Sequence, residues 1–176
     1  MRWASVDPAN KAGIAYWDGD QLTGTVILKR VGAKGKFSLD GVIFLDRFTA
    51  WKEALESCAA IVTEEGCGRF ATAIKSQAGI RGYIEAVCDY IRLRNGDATA
   101  AFMTVNVSEW RRVIKEAYGV SWPATTERKK ALSVQLVRQH YGIEATNDEA
   151  DAVLLGVAAM RMGIVKTTQF AKGGEA

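Results

Sequence analysis

Residues 2–29 read RWASVDPANKAGIAYWDGDQLTGTVILK, and the fold follows from this stretch. Arg2 to Val6 is a brief β-prone run that ends at Asp7-Pro8, and Gly13 to Trp17 is a second run that ends at the turn Asp18-Gly19-Asp20. The glycine turn between two such runs predicts a hairpin. Gln21 to Lys29 resumes with Leu22, Val26 and Leu28 among threonines, so the opening predicts three strands in a meander.

Beyond it, Arg30 to Gly41 is a gap rich in glycine and lysine. Phe48, Trp51, Leu55 and Cys58 then recur at helical spacing, and Ala59 to Thr63 is a short apolar run suited to a buried central strand that ends in Glu64-Glu65-Gly66. From about Phe70 to Leu93 a long helical pattern runs through Ile74, Ile80, Ile84, Val87 and Ile91; Gly79 and Gly82 weaken it or let a neighbour approach. Thr99 to Val105 is a further strand. Ser108 is expected to cap a helix through Trp110, Val113 and Ile114, which breaks between Gly119 and Ala124. Thr126 to Tyr141 carries Leu132, Leu136 and His140 four apart, and Asn147 is expected to cap a last helix, Asp148 to about Met162, apolar almost all round. Three strands, then alternating helices and strands, then helices, predict an α/β or α+β sheet with helices on its faces.

The 176 residues suit one domain, expected over 1–165, with 166–176 as a frayed tail. A hydrophobic content of 48% with only two prolines excludes a disordered or collagen-like chain. The formal charge of +3 leaves room for a basic face beside an acidic site without requiring one. Cys58, Cys67 and Cys88 lack a CxxC pair and His140 is the one histidine, which argues against structural zinc and for reduced, inert thiols inside a cell. Met1 to Asp7 does not resemble a signal peptide, and no apolar run approaches the ~20 residues of a membrane helix.

Three acidic positions stand where carboxylates are costly. Asp7 ends the first strand, inside the expected sheet; taken alone, Asp-Pro reads as a turn starter. Glu64 and Glu65 end the most apolar strand, and alternation allows only one of them to face Asp7; Glu64 is preferred because Glu65 already begins the glycine loop. Asp148 and Asp151 lie three apart on one face of the last helix, where they complement its dipole and also prolong the apolar stripe of Ala152, Leu155 and Ala159. Clustered carboxylates repel unless a cation neutralises them, and hard oxygen donors suit magnesium or manganese. Two such ions can activate a water and stabilise a leaving oxygen in phosphodiester hydrolysis.

The order of these segments resembles the RuvC-type Holliday-junction resolvases of the RNase H-like nucleases, especially their bacteriophage relatives. The residues that carry the likeness are Ser5-Val6-Asp7-Pro8 with Gly13-Ile14-Ala15-Tyr16, then Ile61 to Glu65, then Ser76 to Gly82, and last Asn147-Asp148-Glu149-Ala150-Asp151-Ala152. The likeness spans residues 2 to 162, and the paired aspartates opening an apolar helix are its most specific element. It implies an α/β RNase H-like fold, with a mixed central five-stranded sheet and helices on both faces. It also implies that Asp7, Glu64, Asp148 and Asp151 are catalytic and bind two Mg2+ ions, for which Mn2+ can substitute. Asp7 would bridge them, Glu64 and Asp148 would each complete one shell, and Asp151 would complete or tune the second. The implied enzyme is a homodimeric endodeoxyribonuclease resolving four-way and other branched DNA, active in the cytoplasm of a bacterial host if phage-encoded.

The segment Gly66 to Phe70 is more glycine-rich than the family pattern, and Phe70 stands as either a junction-wedging aromatic or a core residue. Arg69, Lys75 and Arg81 flank the glutamate, while Arg111, Arg112, Arg128, Lys129 and Lys130 occupy later helices; singly they read as solvated faces, together as DNA-binding groups. Lys130 matches a family lysine near DNA. Trp110 reads as core, and His140 as a satisfied surface or core histidine. Two rival functions share these residues: a nuclease of the same fold acting on flaps or RNA–DNA hybrids, and a non-catalytic DNA-binding domain.

Overall fold

The computed structural model describes residues 1–8, 11–29, 41–65, 71–95 and 101–165, with side chains except those of 41–44, 71–78 and 95. Strands β1 (Arg2–Asp7), β2 (Lys11–Asp18) and β3 (Gln21–Lys29) are followed by α1 (Gly41–Leu55), β4 (Ala60–Glu65), α2 (Ala71–Asn95) and β5 (Ala101–Asn106). Three helices close the chain: α3 (Val107–Tyr118), α4 (Thr126–Tyr141) and α5 (Asn147–Arg161). The sheet runs β3-β2-β1-β4-β5, with the first two pairings antiparallel and the β1–β4 and β4–β5 pairings parallel. This is the expected meander extended by two crossover strands. Register pairs Asp18 with Gln21, so Gly19 and Asp20 form the two-residue turn, and Gly19 sits at φ +60° where a side chain would be strained.

Strand alternation divides the core into two layers. Trp3, Ala15, Trp17, Ala60 and Val62 face α3, α4 and α5, whereas Ala4, Val6, Ile14 and Ile61 face α1 and α2. Both faces are covered, which is why the central strands read as continuous apolar runs. Helix α5 lies between the sheet and the outer helices α3 and α4, and is buried on nearly every side from Ala150 to Ala159. Its close seat depends on Ser5, whose hydroxyl donates to the Ala152 carbonyl at 2.7 Å and accepts the Trp17 indole N–H at 2.9 Å. Gly156 completes the fit: a Cβ there would come within 2.6 Å of both Ser5 Oγ and the Trp17 ring. Trp17 in turn stacks on Trp3 at 5.4 Å, an aromatic pair worth about 0.5–1.5 kcal/mol beyond its burial.

Four expectations require correction. Helix α1 begins at Gly41, inside the segment read as a gap, because glycine marks a loop by composition although a helix start tolerates it; Cys58 lies past its end. The cap of α3 is Asn106, whose side chain accepts the Ser108 N–H, and Ser108 is inside the helix. The cap of α5 is Thr146 and Asn147 is its first residue, because Glu149 reaches back to the Thr146 N–H in a capping box that Asn147 would not complete. Strand β5 starts at Ala101 and ends at Asn106, two residues and one residue from the expected ends. The residues 30–40, the glycine segment 66–70 and the tail 166–176 lie outside the described residues.

Candidate active site

Asp7 ends β1 and Glu64 lies near the end of the neighbouring parallel strand β4. Asp7 shares strand parity with Trp3 and Ser5, and Glu64 with Ala60 and Val62, so both carboxylates project to the α5 face while Glu65 is exposed on the other side. The N-terminal end of α5 delivers Asp148, in its first turn, and Asp151, one turn on, to that face; Asp151 is 8% exposed. What seats the helix there is Gly13, which pairs with Asp7 in the sheet and passes directly beneath the Asp148 and Glu149 peptides. Glu149 adds a second anchor, accepting the Thr25 hydroxyl of β3 at 2.9 Å while it caps Thr146. Three elements far apart in sequence thereby bring four carboxylates together.

Their electrostatics show mutual proximity. Burial, then the charges of Glu64, Asp151 and Asp148, hold the Asp7 carboxyl well above the usual range, against the opposing pull of Lys130. Burial also raises Glu64, opposed by the Trp110 N–H and the Arg111 charge, and raises Asp151, opposed by the Ser133 hydroxyl, Arg111 and Lys130. Lys130 meets Asp148 Oδ1 at 2.9 Å; burial lowers its pKa, but Asp148 and the other aspartates outweigh burial and leave it raised.

A pH dependence follows. A carboxyl raised in the folded state carries its full stability below its unfolded pKa and loses it as pH rises through the folded one. In chelator the melting temperature is therefore expected to fall as pH rises above the ordinary carboxylate range, and Mg2+ is expected to restore it there. For a chain of this size each kcal/mol of the effect moves Tm by about 2–4 °C. A scanning-calorimetry series flat in pH, with and without Mg2+, would contradict the coupling.

Two indoles and a guanidinium border the carboxylates. The fully buried Trp110 donates its N–H to Glu64 Oε2 at 3.0 Å. Trp122, in the link between α3 and α4, packs edge-on against Trp110 at 5.6 Å and donates to the Arg111 carbonyl at 2.7 Å. The Arg111 guanidinium carbon lies 5.0 Å from the Trp110 ring and 5.5 Å from that of Trp122.

Other residues singled out in the sequence are more scattered. Arg112 is exposed and pairs with Glu116 at 3.1 Å, and Arg128 is exposed in the first turn of α4 with Lys129 beside it. Arg81 belongs to α2, in the layer across the sheet from α5, so it does not share the carboxylate face. Arg69 and Phe70 lie outside the described residues, as does the side chain of Lys75. His140 is exposed and stacks on Tyr118 at 4.2 Å. Cys58 and Cys88 are buried free thiols, pushed up to about 11 and about 12 by burial, which agrees with inert cysteines.

Among the described residues, no three Asp, Glu, His or Cys side chains converge tightly enough to enclose an ion as they stand. Asp148 is engaged by Lys130 and Glu64 by Trp110. The donor set itself fits a hard divalent cation: it is all carboxylate, and Asp7 is disfavoured as an anion by burial and three like charges that Lys130 alone does not offset.

Neither a protein-family model nor a curated protein matches the sequence. Solved structures do match. Thermus thermophilus RuvC in complex with a Holliday junction substrate is 15% identical, with a TM-score of 0.63 over 94% of this chain and 98% of that one. Another Thermus thermophilus RuvC structure gives 15% identity and a TM-score of 0.56 over 93% and 97%. The yeast mitochondrial Holliday junction resolvase Ydc2 gives 10% and 0.57 over 92% and 79%. At such identities the likeness shows a shared fold, the mixed five-stranded RNase H-like sheet with its helices.

Proposed function

From a RuvC-like fold that gathers Asp7, Glu64, Asp148 and Asp151 on one face, we propose that this protein is a magnesium-dependent endodeoxyribonuclease that cuts four-way and other branched DNA. The observation that carries the reading is Asp7. It ends a central strand, half-buried, and its charge is opposed by three carboxylates from β4 and α5, an arrangement with no benefit to stability. Such a cluster is explained by a task that needs concentrated negative charge.

Mg2+ or Mn2+ held by these four residues would supply the Lewis acidity that activates water and stabilises the leaving 3′ oxygen, giving 5′-phosphate and 3′-hydroxyl ends. Asp7 would be central to holding such an ion, because the charges of the other three carboxylates all act on it. The seat of α5 on Gly13 and Ser5 keeps Asp148 and Asp151 in register with the sheet. Lys130 and Arg111 supply positive charge beside the carboxylates, where a scissile phosphate would approach, and the more distant Arg112, Arg128 and Lys129 would hold flanking phosphates. A homodimer would place two such sites for paired cuts in a two-fold junction. No helix among the described residues is long and apolar enough to cross a membrane.

The test is a gel assay on a labelled immobile four-way junction beside a flap, a linear duplex and an RNA–DNA hybrid, in Mg2+ or chelator. Paired symmetric nicks in the junction, absent in chelator, are expected. Cleavage of flaps or hybrids alone would keep the nuclease and discard the substrate. Binding without cutting in either Mg2+ or Mn2+ would overturn the catalytic reading.

A further inference from the structure

Trp110 is a fully buried residue on the apolar stripe of α3, with Val107 and Ile114, and packing alone would account for its ring. Packing does not account for the direction of its N–H. A buried indole needs an acceptor, and this one uses Oε2 of Glu64, 46 residues away on β4. The other long-range indole bonds of the core go to neutral partners, that of Trp3 to the Gly19 carbonyl and that of Trp17 to the Ser5 hydroxyl. Trp110 alone among them spends its donor on a carboxylate of the candidate site.

The indole is itself held. Trp122 lies edge-on against it at 88°, and the Trp122 N–H, bonded to the Arg111 carbonyl, fixes that ring to the same turn of α3. The Arg111 guanidinium lies near both rings, and its buried Nε has no hydrogen-bond partner. A Glu side chain at a strand end has three rotatable bonds, and freezing them on ion binding is costly. A rigid donor on one oxygen removes part of that cost in advance and leaves Oε1 as the oxygen for an ion.

Building on the function proposed above, we infer that Trp110 is a positioning residue: its indole N–H, braced by Trp122, orients the Glu64 carboxylate for divalent-ion binding. Removing an outer partner of a metal-binding group typically costs about 10–100-fold in affinity. Phenylalanine at position 110 keeps a ring and removes the donor.

The experiment measures Mn2+ affinity of the full chain by calorimetry for wild type, W110F, E64A and the double variant. W110F is expected to bind Mn2+ roughly tenfold more weakly than wild type. In the E64A background the same substitution is expected to change nothing, because the group it orients is gone. Equal losses in both backgrounds, or wild-type affinity in W110F, would overturn the inference and leave the nuclease reading standing. Wild type that binds no Mn2+ would overturn both. Should W110F fold poorly, a second measurement decides on the wild-type side chain. The Trp110 indole 15N–1H resonance is expected to move in metal-free E64A, and in wild type on adding Mg2+. A resonance indifferent to both refutes the inference.

Discussion

Asp7→Asn is expected to abolish cleavage of branched DNA, by roughly 10³-fold or more, the scale on which removal of one charged catalytic group acts. Junction binding is expected to stay the same or tighten. Asparagine keeps the size of the side chain and discards its charge. That charge is opposed by burial and by Glu64, Asp151 and Asp148, so removing it relieves repulsion in the ion-free fold. The variant should therefore melt higher than wild type in chelator wherever Asp7 is ionised, and the difference should shrink as pH falls toward the ordinary carboxylate range and the raised Asp7 carboxyl takes up its proton. The Mg2+-dependent rise in Tm should shrink with it. DNA phosphates would meet the same lysines and arginines and one negative charge fewer. Loss of cutting with a gain in ion-free stability separates a missing ligand from a damaged fold. Normal cutting by the variant in Mg2+ would show that the site assignment is wrong, and a large loss of stability would show that Asp7 is structural.

The central sheet was legible because its residues obey local rules. The β-prone runs of β1 and β2, the Gly19 turn and the apolar run of β4 each point to the strands that form. The carboxylate face was legible for the same reason: strand parity puts Glu64 with Val62, and helical spacing puts Asp151 one turn beyond Asp148. The cap positions of α3 and α5 were harder, because Asn106 and Ser108, or Thr146 and Asn147, are all competent caps by residue type; reciprocal bonds such as Glu149 to Thr146 decide between them. The bond from Trp110 to Glu64 had one general warning, that a buried indole seeks an acceptor, and nothing in α3 says which acceptor a strand 46 residues away will offer. Arg81 shows the converse limit. Its place in the chain, soon after Glu64, suggested a neighbour of the site, but α2 packs in the layer across the sheet from α5.

Gly13 belongs to a segment that carries the family likeness, but the reason for a glycine there is not legible in sequence, and Gly13→Ala is expected to damage both stability and activity. By sequence it is one more small residue in a strand, where alanine would fit β2 at least as well. In the fold it stands opposite Asp7, and a Cβ built on it would overlap the Asp148 carbonyl and reach within 2.7 Å of the Glu149 nitrogen. These are backbone atoms of the α5 first turn, which cannot swing aside as a flexible side chain could. To admit the methyl group the helix start must lift from the sheet. The lift would strain the Thr25–Glu149 bond and carry Asp148 and Asp151 away from Asp7. Overpacking of this kind costs about 1–3 kcal/mol, and a displacement near 1 Å at a reacting centre can cost about 10²-fold in rate. Gly24→Ala is the matched control: it lies on the adjacent strand β3, where an added Cβ meets nothing within 4 Å, and both its melting temperature and its cleavage rate should stay at wild type. Thermal melts read with single-turnover cleavage of the two variants separate a general intolerance of the sheet from a requirement at this one contact. If Gly13→Ala matches Gly24→Ala in both, α5 does not depend on that approach, and the register of the two aspartates is set by Ser5 and Gly156 deeper in the helix instead.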